Sequence, residues 1–441
     1  MDVLNLPPSH FFHVFKIKQH YILLDSGSHS IFKVDDRIWN DYLSGTWTPL
    51  LKEVYEEGKK ENFFELHTPA SIQYSMDHRC YKALCLIVTR QCNLKCSYCF
   101  EHHQPDTSAQ PFMSLQTAKK ALLWLIHQSK ERKNLEVDFF GGEPLLNFPL
   151  IRDTVHFARS LEKKYYKHFQ FSLTTNATLL SGEILDFLHE QRVSVIFSLD
   201  GSLATNDLFR MDHKGRGTYR KTLKQINGAL PYLETGYYVR GTYTHQTLRF
   251  CKEFIHLYEE GIRQISFEPV ASAVKDIAIE AEDLPKIKNE YEKLAEWIFT
   301  QQQKDPNLRF YHFEIDLEQG MCKEKLCSGC GTGVEYLSVS PDGDLYPCHQ
   351  FDGRKAFCMG NINNFEVNDD LRNQFKENTL LYSREECSNC WAKMLCGGGC
   401  IANHQFLQGD VKKVYSIGCE IQKMRLEAAL YLKYLKNIKT T

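Results

Sequence analysis

No stretch of the chain approaches the roughly 20 consecutive apolar residues that a membrane span requires. The mean hydropathy is −0.40, which argues the same way against an integral membrane protein. A basic excess is also missing. The 53 Lys and Arg residues are balanced by 55 Asp and Glu, for a formal net charge of −2. That balance disfavours a dedicated binder of nucleic acid or of an anionic membrane. The N-terminus, MDVLNLPPSHFF, has neither a basic n-region nor a long apolar h-region, so no secretory signal is expected and the cytoplasm is the predicted compartment. There is no low-complexity tract and no repeat at solenoid spacing. What is present is a chain of 441 residues, 43% of them hydrophobic, long enough for about two to four packed domains.

The composition is unusual only in its 16 cysteines. In a secreted chain they would suggest disulfides, but a reducing compartment keeps thiols free, and clustered cysteines there bind metal. Eleven fall into three groups: Cys92, Cys96 and Cys99; Cys327, Cys330 and Cys348; and Cys387, Cys390, Cys396, Cys400 and Cys419. Cys80, Cys85, Cys251, Cys322 and Cys358 stand apart and read as small buried hydrophobes.

Three regions follow from the pattern of the chain. Residues 1–80 show alternating runs, HVFKIKQHYILLD and SIFKVDD, followed by the helical spacing of DRIWNDYLSG and LLKEVYEEGKK. These predict a winged-helix-like module of three strands and two or three helices. It holds 8 Lys and Arg against 11 Asp and Glu, too acidic for DNA, whereas a peptide added to a sheet edge needs no basic surface. Residues 81–310 alternate strands with helices. The strands are predicted at 83–89, 135–140, 169–175, 193–199, 237–243 and 263–268, an α/β pattern expected to give a parallel sheet, open or curled into a partial barrel. Residues 311–441 are loop-rich and cysteine-dense. Chemistry on such a sheet belongs at the C-terminal strand ends, and TRQCNLKC, GGEP, TNAT and SLDG all sit there.

Cys92-Asn-Leu-Lys-Cys96-Ser-Tyr-Cys99 is a CxxxCxxC loop at the end of the first barrel strand. Three thiolates so close can ligate three irons of one [4Fe–4S] cube and leave the fourth open to a small chelating ligand. A structural zinc site needs a fourth protein ligand, and none lies nearby. The loop, with Tyr98 before its last cysteine, resembles the signature of radical S-adenosylmethionine (SAM) enzymes, in which SAM chelates the open iron. That resemblance implies SAM contacts from Gly141, Gly142, Glu143 and Pro144 of the GGEP turn, from Asn176, Ser198 and Asp200 at later strand ends, and from Arg240. It implies, more weakly, a contact from Glu268. Arg240 also reads as an ordinary strand-borne surface charge.

The spacing Cys330-x12-Gly343-x4-Cys348, then Cys387-x2-Cys390-x5-Cys396-x3-Cys400, then Cys419 is similar to the SPASM domain of peptide-modifying radical SAM enzymes. The likeness implies two auxiliary [4Fe–4S] clusters. Cys387, Cys390, Cys396 and Cys419 would hold one, and Cys330, Cys348 and Cys400 the other. Cys327 is the candidate fourth ligand of the latter; without it, an iron is free for a substrate thiolate. Two zinc ribbons are the alternative.

The stretches CGTGVEY at 330–336 and YPCHQF at 346–351 most resemble maturases of cysteine-rich peptides, of the ranthipeptide or sactipeptide type. The implied reaction is thioether crosslinking initiated by a 5′-deoxyadenosyl radical. The implied partners are a leader-bearing precursor peptide and a flavodoxin- or ferredoxin-type electron donor, with no nucleic acid and no membrane. Anaerobic sulfatase maturation, which makes formylglycine, is the rival; that family has an acidic base after the cysteine matching Cys348, where this chain has His349. His349 is either a catalytic base or a hydrogen-bond partner of a cluster sulfur or backbone. A non-catalytic iron–sulfur carrier or peptide scaffold is the third reading.

Overall fold

The computed structural model describes residues 6–64, 80–100, 110–234, 236–315, 317 and 329–440. Residues 65–79 of the N-terminal module, Cys322 and Cys327 lie outside these. The chain forms two compact units, each discontinuous in sequence. One comprises Met1–His78, Ala281–Gly329 and Asn378–Thr441; the other comprises Arg79–Glu280 and Cys330–Glu377.

In the first unit, β1 (Phe12–Ile17), β2 (His20–Asp25) and β3 (Ile31–Val34) form an antiparallel sheet in the order β1-β2-β3. β1 and β2 are buried along most of their length rather than at every second residue. Phe11, Phe12, Leu23, Leu51, Tyr55 and Phe64 make an aromatic-rich core beneath it. The helix Asp36–Tyr42 starts where Asp35 accepts the Arg37 and Ile38 amides, and the helix Pro49–Lys60 where Thr48 accepts the Leu51 amide. Both are ordinary side-chain caps. The unit also contains the helix Leu284–Gln301, a two-residue strand β10 (Arg309–Phe310), and the long helix Ser416–Thr440, which packs along Leu284–Gln301.

The second unit is built on six parallel strands in sequence order: β4 (Ala83–Thr89), β5 (Asn134–Gly141), β6 (His168–Thr175), β7 (Ser194–Ser198), β8 (Tyr237–Tyr243) and β9 (Gln264–Pro269). This is the α/β partial-barrel arrangement that the strand–helix alternation predicts. β4 is buried along its whole length, as its unbroken ALCLIVT run dictates for a strand covered on both faces. The neighbouring β5 alternates. Beyond β4 the sheet continues. β11 (Tyr336–Val339) pairs with β4 in parallel, and β12 (Asp344–Tyr346), β13 (Gly360–Asn361) and β14 (Glu366–Val367) add antiparallel pairs. Residues 330–377 are therefore part of the barrel sheet, although their sequence shows little regular pattern. Among the described residues no helix is long and apolar enough to cross a membrane.

Candidate active site

The CxxxCxxC loop leaves the end of β4 and is gripped from two sides. On one side is the GGEP turn: the Gly142 amide donates to the Thr89 carbonyl at 3.0 Å and the Glu143 amide to the Gln91 carbonyl at 2.9 Å. Gly141 has φ +132°, and a Cβ there would collide with the Thr89 carbonyl; one at Gly142 would collide with Gln91. The two glycines are needed because two backbones meet at this point. Pro144 then opens a turn, Pro144–Asn147, whose first two residues are buried. The Glu143 carboxylate is buried and accepts from Thr175 Oγ1 at 2.7 Å, the Asn176 amide at 2.8 Å and the Leu145 amide at 3.1 Å, so it ties the ends of β5 and β6 together.

On the other side runs the segment after the helix Leu203–Phe209. The Lys95 amide donates to the Met211 carbonyl at 2.7 Å and the Ser97 amide to the Phe209 carbonyl at 3.1 Å. Asn176 locks the loop from the strand ends: its Nδ2 donates to Asn93 Oδ1 at 2.9 Å and lies 3.9 Å from Cys92 Sγ. Asn93 in turn donates to Thr178 Oγ1 at 2.8 Å.

Tyr98 is anchored by a buried chain of hydrogen bonds. Arg210 Nη1 donates to its hydroxyl at 2.7 Å, and that hydroxyl donates to Asp200 Oδ2, also at 2.7 Å. The other Asp200 oxygen accepts the Thr242 amide at 3.0 Å. Burial raises the Asp200 carboxyl, opposed by the charge of Arg210. Asp200 thus links the cysteine loop to β8, and Arg210 and Asn93 are participants that sequence reasoning missed. Arg210 joins the loop only through tertiary structure, and Asn93 occupies a variable position between Cys92 and Cys96 whose partners Asn176 and Thr178 lie far along the chain.

The donor set fits iron–sulfur clusters. Burial pushes the Cys92 thiol up to about 11 and also raises Cys96, so these sulfurs become thiolates only when a metal's charge displaces their protons. Among the described residues, no three His, Cys, Asp or Glu side chains converge on a single ion, as a tetrahedral zinc would require. A cube needs no such convergence, since each cysteine binds its own iron. Cys387, Cys390, Cys396 and Cys419 line one cavity of about 270 Å³ in the first unit. Burial, then the neighbouring Cys396 and Cys387, pushes Cys419 up to about 12. Four thiolates facing one cavity repel one another unless cations lie between them.

The remaining predicted residues are placed as follows. Ser198 and Arg240 are register partners on β7 and β8, and Thr242 and Glu268 are partners on β8 and β9. Arg240 is exposed, and its charge acts on both Asp200 and His349. His349 stacks on Phe140, with ring centroids 4.2 Å apart, and its enclosed Nδ1 has no partner among the described residues. Burial, then Arg240, pulls its pKa down to about 3. The imidazole is a neutral, packed ring. Cys330 and Cys348 are held on stitched loops, the Thr332 hydroxyl donating to the Pro347 carbonyl at 2.8 Å. Cys400 lies in the other unit, at the start of the helix Ile401–Gln408.

Residues 86–246 match the model of the radical SAM superfamily, and residues 330–391 match that of an iron–sulfur cluster-binding domain, SPASM. An uncharacterized protein of Methanocaldococcus jannaschii is 30% identical over 283 residues, covering 64% of this chain and 89% of that protein. The chain belongs to the radical SAM superfamily. Its cofactors are accordingly SAM and [4Fe–4S] clusters.

Two further relatives are each 22% identical. One is a cysteine-type anaerobic sulfatase-maturating enzyme of Clostridium novyi, covering 74% of this chain and 89% of its own. The other is the radical SAM cyclopropyl synthase TigE of Paramaledivibacter caminithermalis, covering 84% and 77%. Among solved structures, native anSMEcpe with bound AdoMet and Cp18Cys peptide is similar with a TM-score of 0.66 at 22% identity, over 81% of this chain and 99% of that one. Streptococcus suis SuiB bound to precursor peptide SuiA is similar with a TM-score of 0.54 at 15% identity, over 92% and 97%. These likenesses show the shared fold.

Proposed function

We propose that this protein is a radical SAM maturase of a ribosomally made, cysteine-rich peptide, joining a substrate cysteine sulfur to a carbon of another residue. Cys92, Cys96 and Cys99 would hold the SAM-binding cluster. Cys387, Cys390, Cys396 and Cys419 would hold one auxiliary cluster, and Cys330, Cys348 and Cys400, with Cys327 as candidate fourth ligand, the other. When bound, SAM and its cluster supply a 5′-deoxyadenosyl radical that abstracts hydrogen from an unactivated C–H bond, a step no side-chain base can perform. The chain's own residues do the positioning. Tyr98, Asp200 and Arg210 fix the cysteine loop, Asn176 and Glu143 fix it to the strand ends, and Ser198 and Arg240 present polar groups at the strand ends where SAM would lie.

The observation that carries the peptide reading is the joining of the N-terminal module to a cluster-binding loop within one compact unit. His13 of β1 stacks on Trp391 at 3.8 Å with an interplanar angle of 3°, and Trp391 directly follows Cys390. The His13 ring nitrogens contact Tyr42 at 3.2 Å and Glu427 at 3.0 Å. A peptide added to an edge of the β1–β3 sheet would be carried by the same unit as that auxiliary cluster. TigE and SuiB, whose names and titles describe a cyclopropyl synthase and a precursor-peptide complex, support a peptide substrate.

The likeness to sulfatase-maturating enzymes favours formylglycine formation as the second reading. Against it stands His349, a ring packed on Phe140 where that family has an acidic base. Incubation of the reconstituted protein with the cysteine-rich peptide encoded beside its gene, followed by mass spectrometry, separates the two. Loss of a pair of hydrogens per crosslink, with thiols lost to alkylation, supports thioether closure. Loss of the cysteine sulfur contradicts it.

A further inference from the structure

Arg384 is among the largest fully buried side chains, at 2% exposure. Its Nη2 donates to the Thr379 carbonyl at 3.2 Å, whereas Nε and Nη1 have no partner among the described residues. A guanidinium cannot shed its proton, and a buried cation with two idle donors is costly unless an anion sits beside it.

The surroundings identify that anion. The Arg384 carbonyl accepts the amides of Cys387 at 3.1 Å and Ser388 at 2.9 Å, so the same residue starts the short helix Glu385–Ser388 that carries Cys387. Its Nη2 occupies the space where a Cβ on Gly398 would stand, and Gly398, at φ +95°, lines the cavity shared by Cys387, Cys390, Cys396 and Cys419. The Cys396–Cys400 turn is itself braced by His404, whose Nδ1 accepts the Tyr415 amide at 3.0 Å while its Nε2 reaches the Gly398 carbonyl at 3.0 Å. The guanidinium is thus held against Gly398, one of the residues that line the cysteine cavity.

We propose that Arg384 donates hydrogen bonds to sulfur of the cluster held by Cys387, Cys390, Cys396 and Cys419, and that its charge raises that cluster's reduction potential. Four thiolates make the cluster anionic and one-electron reduction makes it more so, and a fixed cation in a low-dielectric pocket stabilises the reduced form more than the oxidised one. The inference rests on the assignment of these four cysteines to one cluster.

The test uses the full reconstituted protein and its Arg384→Gln and Arg384→Lys variants, with EPR-monitored redox titration. Arg384→Gln should shift the reduction equilibrium of one auxiliary cluster about tenfold toward the oxidised form, about 59 mV for a one-electron couple. Arg384→Lys should recover most of that shift, and the CxxxCxxC cluster should not move. In protein labelled with 15N-arginine, the reduced auxiliary cluster should show a nitrogen hyperfine coupling that Arg384→Gln abolishes. An unchanged midpoint, or no coupling in the native protein, overturns the proposal. If Arg384→Gln loads no auxiliary cluster, restored loading in Arg384→Lys supports the proposal and equal loss in both contradicts it. If Cys387→Ala and Cys419→Ala leave the iron content unchanged, the cluster assignment itself falls.

Discussion

Tyr98 is held by two charged groups that come from distant parts of the chain, Asp200 and Arg210, and all three meet below the surface of the cysteine loop. Removing one member of a buried ionic set leaves the other charge uncompensated, which costs about 3–5 kcal/mol. Arg210→Met should therefore lower stability by about that amount in denaturant titrations and reduce SAM cleavage; wild-type values for both would show that the network is not structural. Asp138, on β5, is a second residue with no sequence signal. It accepts from Ser172 Oγ at 2.9 Å and is half-buried. Burial raises its pKa from 3.8 to about 7. A raised carboxyl pKa means the native state binds the extra proton, so this contribution is full below about pH 4 and is lost as pH rises through about 7. The loss is at most about 4 kcal/mol. Stability measured across that range should fall less steeply in Asp138→Asn, and an identical slope would contradict the assignment. The cysteines and Tyr98 stand out in the sequence as a spaced motif. The contacts of Arg210, Asn93 and Asp138 do not, because their partners lie far away in the sequence.

Elements were legible in proportion to their length and periodicity. The run ALCLIVT becomes β4 residue for residue, and the other five barrel strands fall within one residue of their predicted limits at each end. β11–β14 span four residues or fewer each, too short for a period to register, and they are recognisable only by pairing with β4 and one another. The GGEP turn was legible as a motif, but its packing against Gln91 and Cys92 was not. Gly142→Ala forces a Cβ into that backbone and should displace the loop. The expected outcome is loss of about four of about twelve irons, with the auxiliary clusters' absorbance retained; a full iron complement would mean the turn tolerates the displacement.

At the scale of the molecule, the chain's order and its spatial order differ. The N-terminal module shares a compact unit with the C-terminal residues 378–441, and residues 330–377 share the other with the barrel. A sequence read from left to right gives three consecutive regions and cannot display such interleaving. One consequence is that deleting the N-terminal module would remove the His13–Trp391 stack as well as the proposed peptide-docking surface. His13→Ala is the cleaner probe. It should leave reductive SAM cleavage intact while destabilising the auxiliary cluster at Cys390, seen as faster iron loss to a chelator; unchanged iron retention would deny that the module supports that cluster.

The central claim is that the cube held by Cys92, Cys96 and Cys99 keeps one iron without a protein ligand, and it is tested most directly by EPR of the reduced protein with and without SAM. The account predicts that SAM changes the spectrum of one cluster, and that the change disappears in the Cys92→Ala/Cys96→Ala/Cys99→Ala variant while the auxiliary signals persist. A spectrum indifferent to SAM in the fully loaded protein would contradict it.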